Sequence, residues 1–169
     1  MVESLQAAQQ TRRLGELLAA RRLLTRAQLE QSLKRQLATK EFLGTILIQM
    51  KLISPEALLE ALSDQFRMPH QSLSAQDVDW DTVLRFPASA LADGRCLPIR
   101  ADDESVTVAL ANPLDAWTLS GIEKLAGLRI VKPVLVLERE LQEVMRIYRQ
   151  RLAATLTSDR DDDGDHDSD

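Results

Sequence analysis

The chain has 169 residues, a hydrophobic share of 44% and a net charge of −5, which allows a packed core and excludes wholesale disorder. Aromatic residues are 4% of the chain, so the core must be built from Leu, Ile, Val and Ala. The single cysteine, Cys96, excludes an internal disulfide and fits a reducing compartment; with no early apolar run or membrane-span-length stretch, the expectation is a soluble cytoplasmic protein without membrane insertion.

The charge is unevenly spread. Residues 158–169 hold seven Asp and one Arg, so the rest of the chain is close to neutral. Arg12 to Lys40 carries eight basic residues against Glu16 and Glu30. A locally basic start suits a small anionic ligand or an acidic partner face better than long nucleic acid, which needs a basic stripe across a whole domain.

Taken in chain order, residues 1–10 are an extension, and an internal repeat with an offset of 29 residues follows. Leu14 overlays Leu43, Gly15 overlays Gly44, Leu18 overlays Leu47, Leu29 overlays Leu58, Leu33 overlays Leu62 and Gln36 overlays Gln65. No gap is needed. Each copy reads as two short helices, the first over about Leu14–Arg21 and again Leu43–Met50. The second helix of each copy opens on a cap: Thr25 with Gln28 forms a capping box, and Ser54 precedes Pro55 at the first helical position. Leu29, Leu33 and Leu37, and then Leu58, Leu62 and Phe66, recur at helical spacing. Helices this short must pack on one another, which gives a four-helix subdomain over residues 11–67.

Past Met68-Pro69 the pattern changes. Asp79–Phe86 is expected to be a short helix before Pro87. Arg95–Arg100 and Ser105–Leu110 read as strands joined by a polar turn. Asp115–Ala126 reads as a helix ending at Gly127. Arg129–Leu137 is β-rich, with Pro133 implying an edge or a bulge, and Glu138–Leu156 is a long amphipathic helix. Residues 68–157 therefore form a ββαβα-like subdomain, and the whole chain is α+β. Residues 158–169 lack any apolar side chain and are expected to be a disordered acidic tail.

The run Arg13-Leu14-Gly15-x-Leu17-Leu18, then Leu23-Leu24, then Leu29-x-x-x-Leu33-x-x-Gln36, repeated from Leu43-Gly44 to Gln65 after a short spacer, resembles the MshEN motif. Pro113-Leu114-Asp115 after the second strand also resembles the second part of that domain. The family comprises N-terminal domains of type II secretion and type IV pilus ATPases, and its MshEN form binds cyclic di-GMP. A tandem duplication suits a ring with two equivalent guanosine halves. The resemblance implies that Arg13 and Gln36 contact polar groups of one ligand half and Gln65 those of the other. It implies that Leu14, Leu29, Leu33, Leu43, Leu58 and Leu62 cover apolar faces. Gly15 and Gly44 would let backbone approach closely, and Asp115 would reach the ligand from the second subdomain. Two departures stand out. Phe42 occupies the place of Arg13 in the second copy, and Arg22 and Lys51 stand where the family prefers Gly.

Other uses compete for the same residues. The leucine rows serve as core in most short helices, Gln36 and Gln65 suit a helix boundary, and Asp115 suits a helix N-cap. His70 and His166 are too isolated for a metal site, and no cofactor is expected. No Walker A sequence is present, so no catalysis is expected. The implied role is a cyclic-di-GMP sensor signalling to a protein partner such as a secretion or pilus ATPase or an inner-membrane assembly component. The alternative is a nucleotide-independent docking adaptor with the same fold.

Overall fold

The computed structural model describes residues 13–114, 119–127 and 129–161. The chain divides into two compact units between His70 and Gln71.

Among its described residues the first unit is built from four helices. Residues 13–20 are helical (α1), followed by α2 (Arg26–Thr39), α3 (Leu43–Gln49) and α4 (Pro55–Phe66). The expected caps are in place. The Thr25 hydroxyl accepts from the Gln28 backbone N–H while the Gln28 side chain accepts from Thr25. The Ser54 hydroxyl accepts from the Ala57 N–H, with Pro55 at the first turn. Phe42 occupies the N-cap position of α3 and provides no side-chain cap, which forgoes about 1 kcal/mol relative to Ser or Asp there.

The first helix of each copy ends in the same way. Arg22 and Lys51 take positive φ, 58° and 56°. At the first turn the Leu23 N–H donates to Leu18 O and the Arg22 N–H to Ala19 O. At the second, Leu52 donates to Leu47 O and Lys51 to Ile48 O. These are paired Schellman closures, a motif that usually recruits glycine. Lys40 and Arg67 end α2 and α4, also at positive φ, so a cation near each C-terminus offsets part of the backbone strain by facing the helix dipole.

Leu14, Leu18, Leu24, Leu43, Leu47, Ile53 and Ala61 form the buried centre, with Leu29, Leu33, Leu58 and Leu62 half-buried against it. The expected stripe of α2 stops short: Leu37 is 73% exposed. Its spacing continues the helical period, but among the described residues no element covers the last turn of α2 on that side.

The second unit is a three-stranded sheet with helices. Two 3-10 turns, Ala75–Asp77 and Ala88–Ala90, flank α5 (Trp80–Leu84), which packs on β1. Then come β1 (Cys96–Ala101), β2 (Ser105–Leu110), α6 (Leu119–Ala126), β3 (Ile130–Leu135) and α7 (Glu138–Asp161). The strand order is β1-β2-β3, antiparallel between β1 and β2 and parallel between β2 and β3. The polar turn between β1 and β2 is pinned by Asp102, whose carboxylate accepts from the backbone N–H groups of Glu104 and Ser105. Pro133 lies opposite Val108 on the edge strand β3, where a missing N–H costs no central ladder bond. Gly127, at φ 69°, closes α6. Leu97, Ile99, Leu110, Ile122, Leu135, Leu141 and Met145 form the core, each at most 1% exposed.

The last helix corrects one expectation. It runs to Asp161, so residues 158–161 are helical and not part of a tail. Extending an existing helix by one turn requires no new nucleation, even through Asp-rich sequence. Residues 162–169 lie outside the described residues.

Candidate functional site

The repeat in sequence is a repeat in space. A Cβ built on Gly15 would lie 2.9 Å from Leu29 Cδ1 and 3.2 Å from Cδ2. A Cβ built on Gly44 would lie 2.9 Å from Leu58 Cδ2 and 3.2 Å from Cδ1. In each copy the glycine of the first helix receives the leucine that opens the second helix. The glycine thus allows a close approach, but the group that approaches is a side chain of the same copy.

The two copies also interlock. Arg21, at the end of α1, pairs with Asp64 in α4. On the other side α2 packs against α3, where Arg35 donates to Gln49 Oε1 at 2.9 Å. The repeat offset carries Arg21 to Met50 and Asp64 to Arg35, so equivalent ends meet twice. The second helix of the first copy thus lies against the first helix of the second, and the Arg21–Asp64 pair ties the end of α1 to α4.

Small residues were the signal that sequence reasoning missed. Ser32 and Ala61 are again separated by the repeat offset, and both are fully buried. Ser32 returns its hydroxyl to Gln28 O at 2.8 Å, with Met50 Sδ at 3.7 Å, so its polar group is satisfied within its own helix.

The expected ligand residues divide by burial. Leu14 and Leu43 are 6% and 2% exposed; they are core residues, because helices of two turns have few other side chains to bury. Leu29, Leu33, Leu58 and Leu62 are half-buried and keep apolar surface available. Arg13 is exposed. Gln36 is half-buried, and its Nε2 donates to the backbone carbonyl of Glu41 at 3.1 Å. Because a carbonyl can only accept, that bond fixes the amide's orientation and directs Oε1 elsewhere. Glu41 is held in turn by Gln49, whose Nε2 donates to Glu41 Oε1 at 2.9 Å. Gln65 is half-buried, with its Oε1 enclosed by protein. Asp115 and Trp117 lie outside the described residues. Trp80 is a packing residue: its Nε1 donates to Ala75 O, and the Arg151 guanidinium lies 4.6 Å above its ring.

The shifted acids belong to the second unit. Hydrogen bonds from Thr82 hold the Asp79 carboxyl below its ordinary value, and those from Ser74 do the same for Asp77. The backbone N–H groups of Glu104 and Ser105 lower Asp102. Burial raises the Tyr148 phenol. All are explained by local capping or packing. Among the described residues no group of three or more His, Cys, Asp or Glu could hold a metal ion, and no helix is long and apolar enough to cross a membrane.

Fold and repeat together define a two-part α+β protein whose first part is a tandem pair of helical hairpins. The MshEN domain family model matches residues 66–154, more than half of the chain, and the chain belongs to that family. The match falls largely on the second unit, whereas the duplicated motif lies before it. The structure of MshE with cdg is similar over 80% of this chain and 97% of that one, with a TM-score of 0.70 and 27% identity. The N-terminal domain of XpsE shares the fold, with a TM-score of 0.57 over 81% of this chain and 94% of that one at 16% identity. The type IV pilus assembly ATPase PilB of Thermus thermophilus is 31% identical over 124 residues, 72% of this chain and 14% of that protein. Bacteriophage adsorption protein B of Escherichia coli is 27% identical over 83% of this chain and 18% of that protein. The chain therefore spans well under a third of the length of these curated relatives.

Proposed function

We propose that this chain is a cyclic-di-GMP-binding regulatory unit that performs no chemistry of its own and passes ligand binding to a protein partner in pilus, secretion or envelope machinery. The observation that carries the reading is the duplicated Gly–Leu packing, Gly15 with Leu29 and Gly44 with Leu58, at matching distances. It makes this contact alike in the two copies, and like half-sites suit a ligand with two equivalent halves. The half-buried leucines offer apolar surface to bases and riboses. The exposed Arg13 offers a fork of donors to phosphate or a guanine edge. The Gln36 amide, oriented by Glu41 O, offers an acceptor to the N–H groups of guanine. The likeness to MshE solved with cdg supports the same reading.

Isothermal titration of the full chain with cyclic di-GMP, cyclic di-AMP, ATP and GTP tests it. The expected result is saturable binding of cyclic di-GMP alone at micromolar concentration. Arg13→Ala and Gln36→Ala should each weaken it about tenfold, the effect of one lost charge-assisted or buried hydrogen bond, with helical content kept. No heat from cyclic di-GMP with folded protein refutes the reading. A nucleotide-independent adaptor is the second reading, favoured by the burial of Leu14 and Leu43 in the core. An adaptor keeps its partner when Arg13 and Gln36 are replaced.

A further inference from the structure

The geometry points to Glu41 as a positioning residue: held from the second copy through Gln49, it sets the Gln36 amide of the first copy, and through that amide the grip on the ligand. The inference rests on the cyclic-di-GMP reading above and gives Glu41 no ligand contact of its own.

Every polar group of Glu41 is engaged. Its N–H donates to Thr39 Oγ1 at 3.3 Å, its carbonyl accepts from Gln36 Nε2 at 3.1 Å, and its carboxylate Oε1 accepts from Gln49 Nε2 at 2.9 Å. The Gln49 amide cannot turn over. Its Oε1 accepts from the Arg35 guanidinium at 2.9 Å, and a flipped amide would set donor against donor and oxygen against carboxylate. A cation on α2 and a carboxylate on the spacer are thus joined through an amide on α3. Gln36 grips the same spacer twice, because its backbone carbonyl also accepts from the Lys40 N–H at 2.8 Å.

The spacer needs such anchors. Lys40 takes φ 63°, a left-handed conformation that a residue with a Cβ disfavours. The relay also lies outside the duplicated core. At the repeat offset Gln49 corresponds to Ala20, which has no amide, so the first helix of the first copy cannot reproduce it. Arg35 and Gln49 are exposed, where a hydrogen bond largely replaces one to water and adds little to global stability. A device found in one copy, at residues that bury no core, is explained by the amide it holds. Ligand binding in the first half-site then depends on how α3 of the second copy is packed.

The experiment is a double-mutant cycle on the full chain, read by titration calorimetry with cyclic di-GMP. Glu41→Ala and Gln49→Ala should each weaken binding ~2- to 10-fold, the range for one net hydrogen bond, with helical content and urea midpoint close to wild type. In a Gln36→Ala background neither change should weaken binding further, because Glu41 acts only through that amide. Glu41→Gln keeps an acceptor for Gln49 Nε2 and should bind like wild type. It removes the same charge as Glu41→Ala, so the difference between the two isolates the hydrogen bond. Unchanged affinity in Glu41→Ala, or the same loss with and without Gln36, overturns this inference while leaving the ligand site in place. Failure of wild-type protein to bind overturns both this inference and the reading beneath it.

Discussion

Gly15 and Leu29 are so close that one carbon added to the glycine would lie 2.9 Å from a leucine methyl, and Gly44 stands to Leu58 in the same relation. The missing Cβ is what brings the first helix of each copy onto the start of the second. Substitution at either glycine is therefore a test of packing that is separate from any effect on ligand. Gly15→Val should cost about 1–3 kcal/mol by overpacking. Leu29→Ala in the same chain should recover part of that cost, so the two changes are non-additive in a double-mutant cycle. The measurement is urea unfolding followed by circular dichroism at 222 nm, since both tryptophans, Trp80 and Trp117, lie beyond the first unit. Strict additivity would mean that the contact carries no coupling.

The turns after α1 and α3 should tolerate glycine well. Arg22 and Lys51 hold positive φ, at a cost of roughly 1 kcal/mol relative to glycine. Glycine also loses more entropy on folding and gives up the cation near the helix dipole. Arg22→Gly and Lys51→Gly should therefore be neutral or stabilising by up to about 1 kcal/mol, whereas Arg22→Val should destabilise. Urea midpoints of the three variants decide the matter; a loss of more than 1 kcal/mol in either glycine variant would contradict the strain argument.

Two leucines of the repeat should behave in opposite ways. Leu18 is fully buried and Leu37 is 73% exposed. Leu18→Ala should cost about 2–5 kcal/mol, from lost transfer energy and the cavity left behind. Leu37→Ala should lie within about 0.5 kcal/mol of wild type. Equal costs would mean that the last turn of α2 is covered.

The second unit should lose stability in acid. Asp79, Asp77 and Asp102 have folded values held below the ordinary 3.8. Their contribution is present above that value and is lost as pH falls through the lowered folded values. Trp80 emission followed through acid titration should report this loss. Asp102→Asn should flatten the profile, because the amide oxygen still accepts hydrogen bonds but carries no titrating charge.

Much of the fold is legible in the residues. The 29-residue offset gives the tandem hairpins, because duplicated sequence folds into duplicated structure. Thr25-Gln28 and Ser54-Pro55 give the starts of α2 and α4, because caps act within four residues of their own position. The runs on either side of the polar turn Ala101-Asp102-Asp103-Glu104 give β1 and β2 to within a residue, and Pro133 marks the edge strand. The identity of the paired ends, Arg21 with Asp64 and Arg35 with Gln49, was not legible, since no local pattern says which copy a helix end will meet. Nor was the division of leucines into the sealed pair Leu14 and Leu43 and the half-buried Leu29, Leu33, Leu58 and Leu62. Periodicity tells which face of a helix is apolar; only the arrival of a neighbouring element decides whether that face becomes core, ligand surface or, as at Leu37, is left in water.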